Sequence, residues 1–191
     1  MEITTKELLE SYKFGERNFG GVFCTIDWFK GSEPLINLNL RSINLSGTDL
    51  SNSRLEGANL KGATLRGIQL AESNLRGANM ESADLSGASL CKTKFAGANL
   101  SGAILRGAFV EETEFSNANL SYVDLRGAVG IEIAYLDGAI FRDTIMPDGS
   151  IANDTAYFLL VKYIVISEET RTTRISQYFL TIYLLPNSCN Y

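Results

Sequence analysis

A large apolar residue occupies every fifth position from Leu35 to Leu125. Nineteen consecutive multiples of five carry Leu, Met, Phe or Val, and none fails. An α-helix buries residues spaced three and four apart, and a strand alternates with period two. Five fits neither. A helix would spiral such residues around its axis, and a strand would lose its inward face at every repeat. The chain must break its alternation once per five residues, which requires a corner.

Two further columns describe that corner. A small residue lies two positions before many of the central ones, as at Ala58, Ala78, Ala98 and Ala118. A spacing of two puts both on one face of a short extended segment. Gly is common two positions after, as at Gly47, Gly67, Gly87 and Gly107. There it suits the positive φ of a type II turn. Units this short cannot bury a face alone and must stack into a solenoid. Columns twenty residues apart align best: Asn39, Asn59, Asn79, Asn99 and Asn119 are all Asn. Ser53, Ser73, Thr93 and Thr113 are all hydroxyl residues. A period of fifteen runs from Asn44, Asn59 and Asn74 into Ser89 and Ile104. Four repeats per coil follow, with about 4.8 Å of rise per coil.

The motif A-(N/D)-L-x-G, read from Ala58, Ala83 and Ala98, resembles the pentapeptide-repeat family. The resemblance covers residues 12–146. It is nearest to bacterial, cyanobacterial-type members, through the opening ELLESYKFGERNF and the close MPDGS. It implies an all-β fold, a right-handed quadrilateral parallel β-helix, with the central and small residues inward and the other three outward.

Around the regular run of 35–146 the sequence divides into three pieces. Residues 1–16 read as a capping helix, with Thr4 and Glu7 as a capping box, a Leu8, Leu9, Tyr12 stripe and Gly15 at its end. Residues 17–34 read as an irregular first coil, because Phe14, Phe19, Cys24 and Phe29 are five apart in another phase. A one-residue insertion near Gly31–Pro34 restores the frame. Gly130 breaks it again, and it resumes one residue late at Leu136, Phe141 and Met146, before a turn at Met146–Ser150. Residues 147–191 form a tail with two apolar stretches, Ala156–Ile166 and Ile175–Leu185, expected to act as a cap or a dimer contact.

The chain has no His, and no nucleophile elbow, P-loop or dinucleotide fingerprint. Catalytic, cofactor-binding and metal residues are accordingly expected to be none, and the chain is read as a non-enzyme. The hydroxyl column reads as buried side chains bonded to backbone, and the Asn column as an amide ladder between coils. Three cysteines, Cys24, Cys91 and Cys189, widely spaced, suggest neither a disulfide framework nor a zinc site. The frame turns Cys91 outward, and a free thiol there suggests a reducing, cytoplasmic compartment. The N-terminus shows no basic-then-apolar leader and no run reaches membrane-span length.

What remains is a structural or protein-interaction module. Ile104 and Phe109 stand where other repeats carry Asn or Asp, and Tyr122 stands where others carry Gly. With the acidic cluster Glu111, Glu112 and Glu114 they form the candidate interaction surface. The expected partner is another protein, or a second copy through the C-terminal region, with neither membrane nor nucleic acid involved. The alternative is a DNA-mimicking modulator of DNA gyrase or topoisomerase, a role the resemblance implies for some relatives. That role needs negative charge spread along the molecule. Residues 35–129 carry nine basic and nine acidic side chains, so the chain's net −5 lies at its ends.

Overall fold

The computed structural model describes residues 2–21, 23–25 and 36–153. From Asn37 to Gly127 every fifth residue has positive φ, nineteen corners in succession. Ten are glycine and nine are not. The residue before each corner position never shares the positive φ, as a type II turn requires. The small residue then closes the turn on the carbonyl of the central one, as Ala58 N–H does on Leu55 at 3.0 Å.

Parallel bridges join residues twenty apart, in four columns. Column A runs from Asn39 through Asn59, Asn79 and Asn99 to Asn119. Column B runs from Asn44 to Asp124, column C from Asp49 to Val129, and column D from Arg54 to Glu114. Four pentads therefore make one coil. The central residues and the small residues are buried together in a continuous core. Phe95 and Phe115, one coil apart, stack with ring centroids 5.5 Å apart.

Nearly every backbone donor of a pentad has a fixed destination. Leu60 N–H donates to the next coil at Asn79, and Gly62 N–H to the next coil at Glu81. Ala63 N–H closes its own turn on Leu60, and Thr64 N–H donates to the preceding coil at Ile43. Only the first corner residue lacks a backbone acceptor. At nine positions between Asn44 and Asp124 an Asn or Asp side chain supplies one, two residues upstream. This Asx turn explains why that position favours Asn and Asp.

The frame slips at Gly130, which has φ +88 and is followed by a 3-10 turn over Ile131–Ile133. Beyond it the bridges are twenty-one apart: Glu114 with Tyr135, Asn119 with Ile140, Asp124 with Ile145. Phe141, Met146, Ala134, Ala139 and Thr144 are buried as the resumed frame requires. The MPDGS turn links strands β3 (Thr144–Ile145) and β4 (Ile151–Ala152), which pair antiparallel. At the N-terminal end β1 (Glu2–Thr4) pairs in parallel with β2 (Phe23–Thr25). Helix α1 (Thr5–Lys13) follows β1, with the Thr4–Glu7 capping box present in both directions. Leu8 is buried in the core, and Tyr12 donates its hydroxyl to the Arg41 carbonyl at 2.9 Å.

Two expectations are corrected. Phe14 is 92% exposed at the helix C-cap, so its five-residue spacing from Phe19 is coincidental; Phe19 is buried. Cys91, outward by frame, is buried and its sulfur is disulfide-bonded. The inference from a free thiol to a reducing compartment loses its support. The insertion at Gly31–Pro34 and both apolar stretches of the tail lie outside the described residues.

A Cβ at Gly130 would stand 2.8 Å from both Cα and N of Glu111, whereas one at Gly107 would meet nothing within 4 Å. Both residues have positive φ. Gly107→Ala is expected to cost about 1 kcal/mol, the left-handed penalty alone. Gly130→Ala adds backbone overpacking and is expected to cost about 3 kcal/mol. Guanidinium unfolding of the two variants compares them directly, and equal losses would contradict the packing argument.

Candidate interaction surface

Substitutions in the outward positions decide what the coil surface offers. Ile104 lies in column B between Asp84 and Asp124, where it supplies no acceptor for the Arg106 N–H. It is 37% exposed. Tyr122 fills the corner between columns A and B at φ +62, where the small residues Ser42, Gly62, Ser82 and Gly102 stand in earlier coils. A bulky side chain in the left-handed region is strained, and this one is also 55% exposed. Ile140 continues column A and Ile145 continues column B. Ile140 is exposed and Ile145 half-buried. Sequence reading missed these two because they are multiples of five. Only the slip at Gly130 turns them into the outward position.

The six sequence-derived candidates do not form one patch. Ile104 and Tyr122 share the A–B side of neighbouring coils. Phe109 is half-buried in column C, between Ser89 and Val129. Glu111 and Glu112 form the C–D corner, and Glu114 lies in column D. There Glu114 accepts from Arg76 at 2.7 Å. Lys92, Lys94, Glu112, Glu114 and Tyr135 border a shallow, open depression of about 390 Å³. Its opposed charges and solvated walls suit a solvated surface better than an enclosed substrate site.

Carboxylates elsewhere serve the coil itself. Asp124 accepts from Arg126 at 2.7 Å and from Arg106, one coil earlier, at 2.6 Å. The Arg126 hydrogen bond, with help from Arg106 and the Arg126 N–H, holds the Asp124 carboxyl far below its ordinary range despite its burial. Burial pushes Asp84 upward, but the Ser86 hydroxyl and N–H and the Arg66 guanidinium outweigh it, and its pKa is lowered. The hydroxyl column is buried as expected. Ser73, Thr93 and Thr113 each donate at 2.7 Å to a central-residue carbonyl of the preceding coil. The Asn column is mainly a set of Asx turns, with one amide–amide contact, Asn99 to Asn79, at 3.5 Å. Among the described residues, no group of three or more His, Cys, Asp or Glu side chains could hold a metal. No helix among them is long and apolar enough to cross a membrane.

A family model of pentapeptide repeats matches this chain in eight copies, over residues 35–67, 59–95, 68–107 and 93–129. The chain belongs to the pentapeptide-repeat family. Similar solved structures include HetL, a pentapeptide-repeat protein involved in heterocyst differentiation regulation, from the cyanobacterium Nostoc sp. strain PCC 7120. It is 22% identical, covering 78% of this chain and 100% of its own, with a TM-score of 0.34. The pentapeptide-repeat protein alr5209, also from Nostoc PCC 7120, is 30% identical over 74% and 97%, with a TM-score of 0.33. QnrB1, a plasmid-mediated fluoroquinolone resistance protein, is 18% identical over 77% and 72%, with a TM-score of 0.27. No curated protein matches the chain. Pentapeptide-repeat relatives imply a right-handed β-helix, and the family assignment rests on the repeats.

The geometry of Asp124 yields a pH test. Asp124→Asn keeps an Oδ1 acceptor for the Arg126 N–H but removes the charge. The partner guanidiniums are about half exposed, which limits the loss to about 1 kcal/mol at pH 7. The folded pKa lies below the ordinary 3.8, so the contribution is full above that value and lost as pH falls below it. The stability difference between wild type and Asp124→Asn should narrow progressively below about pH 4. A difference unchanged from pH 7 to pH 2 would contradict the assignment.

Proposed function

We propose that this pentapeptide-repeat protein is a non-enzymatic interaction module. In this reading it is a four-sided, right-handed parallel β-helical solenoid whose late coils present an apolar edge to another protein. The partner is a different chain or a second copy docked near the C-terminal region. The observation that carries this reading is Tyr122, a strained and exposed aromatic at a corner where earlier coils carry only Ser or Gly. Exposed Ile104 and Ile140 flank it and extend the edge across three coils. Phe109 and the Glu111–Glu114 cluster lie around the other side and are not needed for it. The cytoplasmic expectation rests on a free Cys91 thiol, and that sulfur is bonded.

Folding and binding should respond oppositely to one substitution. Tyr122→Gly removes the left-handed penalty and is expected to raise stability by about 1 kcal/mol. It should also abolish whatever the edge holds. Sedimentation of wild type and variant reads self-association, and paired affinity capture from native lysate reads other partners. An assembly retained by wild type and lost with Tyr122→Gly supports the reading. Identical assemblies for both proteins overturn it.

The balanced charge of residues 35–129 weighs against the DNA-mimic alternative. Purified protein is expected to leave gyrase supercoiling unchanged even in large excess. Inhibition there would favour the alternative.

A further inference from the structure

One face of the coil carries charges of both signs that the chain itself leaves unpaired. Between residues 35 and 129 the basic side chains of Arg54, Lys61, Arg66, Arg76, Arg106 and Arg126 all form ion pairs. Among the described residues Arg41, Lys92 and Lys94 find no such partner. Arg41 stands alone at the A–B corner. Lys92 and Lys94 share one coil, at the C–D corner and in column D. The next coil carries the opposite sign, with Glu112 beyond Lys92 and Glu114 beyond Lys94. A pair one coil apart can close, as Lys61 and Glu81 do at 2.7 Å. Lys92 and Glu112 do not, and Glu114 turns instead to Arg76, two coils back, at 2.7 Å.

The same corner holds strain that its neighbour avoids. At its positive-φ position the B–C corner is glycine in every coil from Gly47 to Gly127. The C–D corner places Asn52, Glu72, Lys92 and Glu112 there. Lys92 stands at φ +57 and Glu112 at φ +52, so each carries the left-handed penalty that glycine escapes. Strain of this kind collects at positions that serve something besides the fold. One coil further on, Tyr135 continues column D beyond Glu114 and is 54% exposed. Asp137 continues the D–A corner, where Arg76 stands three coils earlier: Gly57 N–H donates to the Arg76 carbonyl and Asn117 N–H to that of Asp137.

We infer that this face binds a second copy of the chain, laid antiparallel across a two-fold axis. The axis lies in the face, at right angles to the stack, between the coil of Lys92 and that of Glu112. Rotation about it reverses the order of the coils and keeps each corner on its own side. Lys92 then meets Glu112 of the second copy, and Lys94 meets its Glu114. One coil outward, Tyr135 meets Asn74 of the second copy and Asp137 meets its Arg76. Opposite charges face each other throughout, and every contact occurs twice, as an isologous interface requires. An axis through either coil would set Lys92 or Glu112 against its own copy. The contact spans four coils of about 4.8 Å each. That is small for a permanent assembly, so the pair is transient and sensitive to salt. Tyr122 stands at the diagonally opposite corner, so this inference is independent of the proposed function.

Sedimentation equilibrium of the full chain, at about 50 mM and about 500 mM salt, reads the association. Wild type is expected to dimerise, at least tenfold more weakly at the higher salt. Two double variants reverse the charges, Lys92→Glu with Lys94→Glu and Glu112→Lys with Glu114→Lys. Each introduces only a residue that the same column already carries one coil away, so neither is foreign to the fold. Each alone is expected to lose the dimer. An equimolar mixture should recover it, because two acidic coils then meet two basic ones. A wild type that stays monomeric at every concentration overturns the inference, as does a mixture that stays monomeric. A dimer lost with Tyr122→Gly but kept by both double variants belongs to the apolar edge and overturns this inference alone.

Discussion

The backbone hydrogen bonds between coils are the constraint on which the rest depends. A pentad this short has five donors and must place each of them. Two go to the coil above, one to the coil below and one closes the corner. The three bonds between coils set the twenty-residue pitch and hold the register, since a one-residue slip without a compensating turn such as that at Gly130 would turn every central side chain outward. The fifth donor is left to a side chain. Asn and Asp reach it with one rotatable bond fewer than Gln and Glu, which gives the outward position its preference. The buried hydroxyls repeat the theme inside, where Thr93 and Thr113 tie a carbonyl of the preceding coil to the core.

That rigidity is why so much could be read from sequence. The period of five implied a corner, and the columns of twenty implied four corners per coil. The bridges run between those same residues, from Asn39 to Asn119 and in three parallel columns. The slip at Gly130 was also legible, because one inserted residue shifts every later column together. Features that depend on something other than the repeat were not legible. Phe14 shares the spacing of Phe19, but the end of α1 holds it in solvent. The pairing of β1 with β2 joins segments with no pattern in common. Cys91 is outward by the local frame and yet buried, and its sulfur is disulfide-bonded, which no frame can reveal. The Asn column suggested a ladder because its period was visible. Its Asx turns were not, since each lies within a single pentad.

Charge along the molecule follows from the same geometry. Arg66, Arg106 and Arg126 share one corner, and they engage Asp84 and Asp124 in column B. These carboxylates already accept from the backbone N–H of the corner. A guanidinium beside them balances the charge that an Asp, unlike an Asn, brings to this acceptor position. The balance of nine and nine over residues 35–129 thus has a structural origin in part. An acidic surface able to stand in for a nucleic acid would need carboxylates without such neighbours, at positions the corner does not use.

A repeat this strict also makes its exceptions informative. Where glycine takes a positive φ without steric strain, a tyrosine at φ +62 carries the left-handed penalty. Such a residue persists in a folded protein only when the coil around it is stable enough to hold it there. The coil can do so because Tyr122 N–H still donates to the Arg142 carbonyl at 2.7 Å, as a glycine there would. The side chain alone departs from the pattern, and it departs towards solvent. Tyr122 differs in this from Phe95 and Phe115, which are fully buried. Those aromatics replace a central leucine, stack on each other in the core and change only how it is filled. An aromatic inside is an alternative packing, whereas the aromatic at this corner leaves more than half of its surface to solvent.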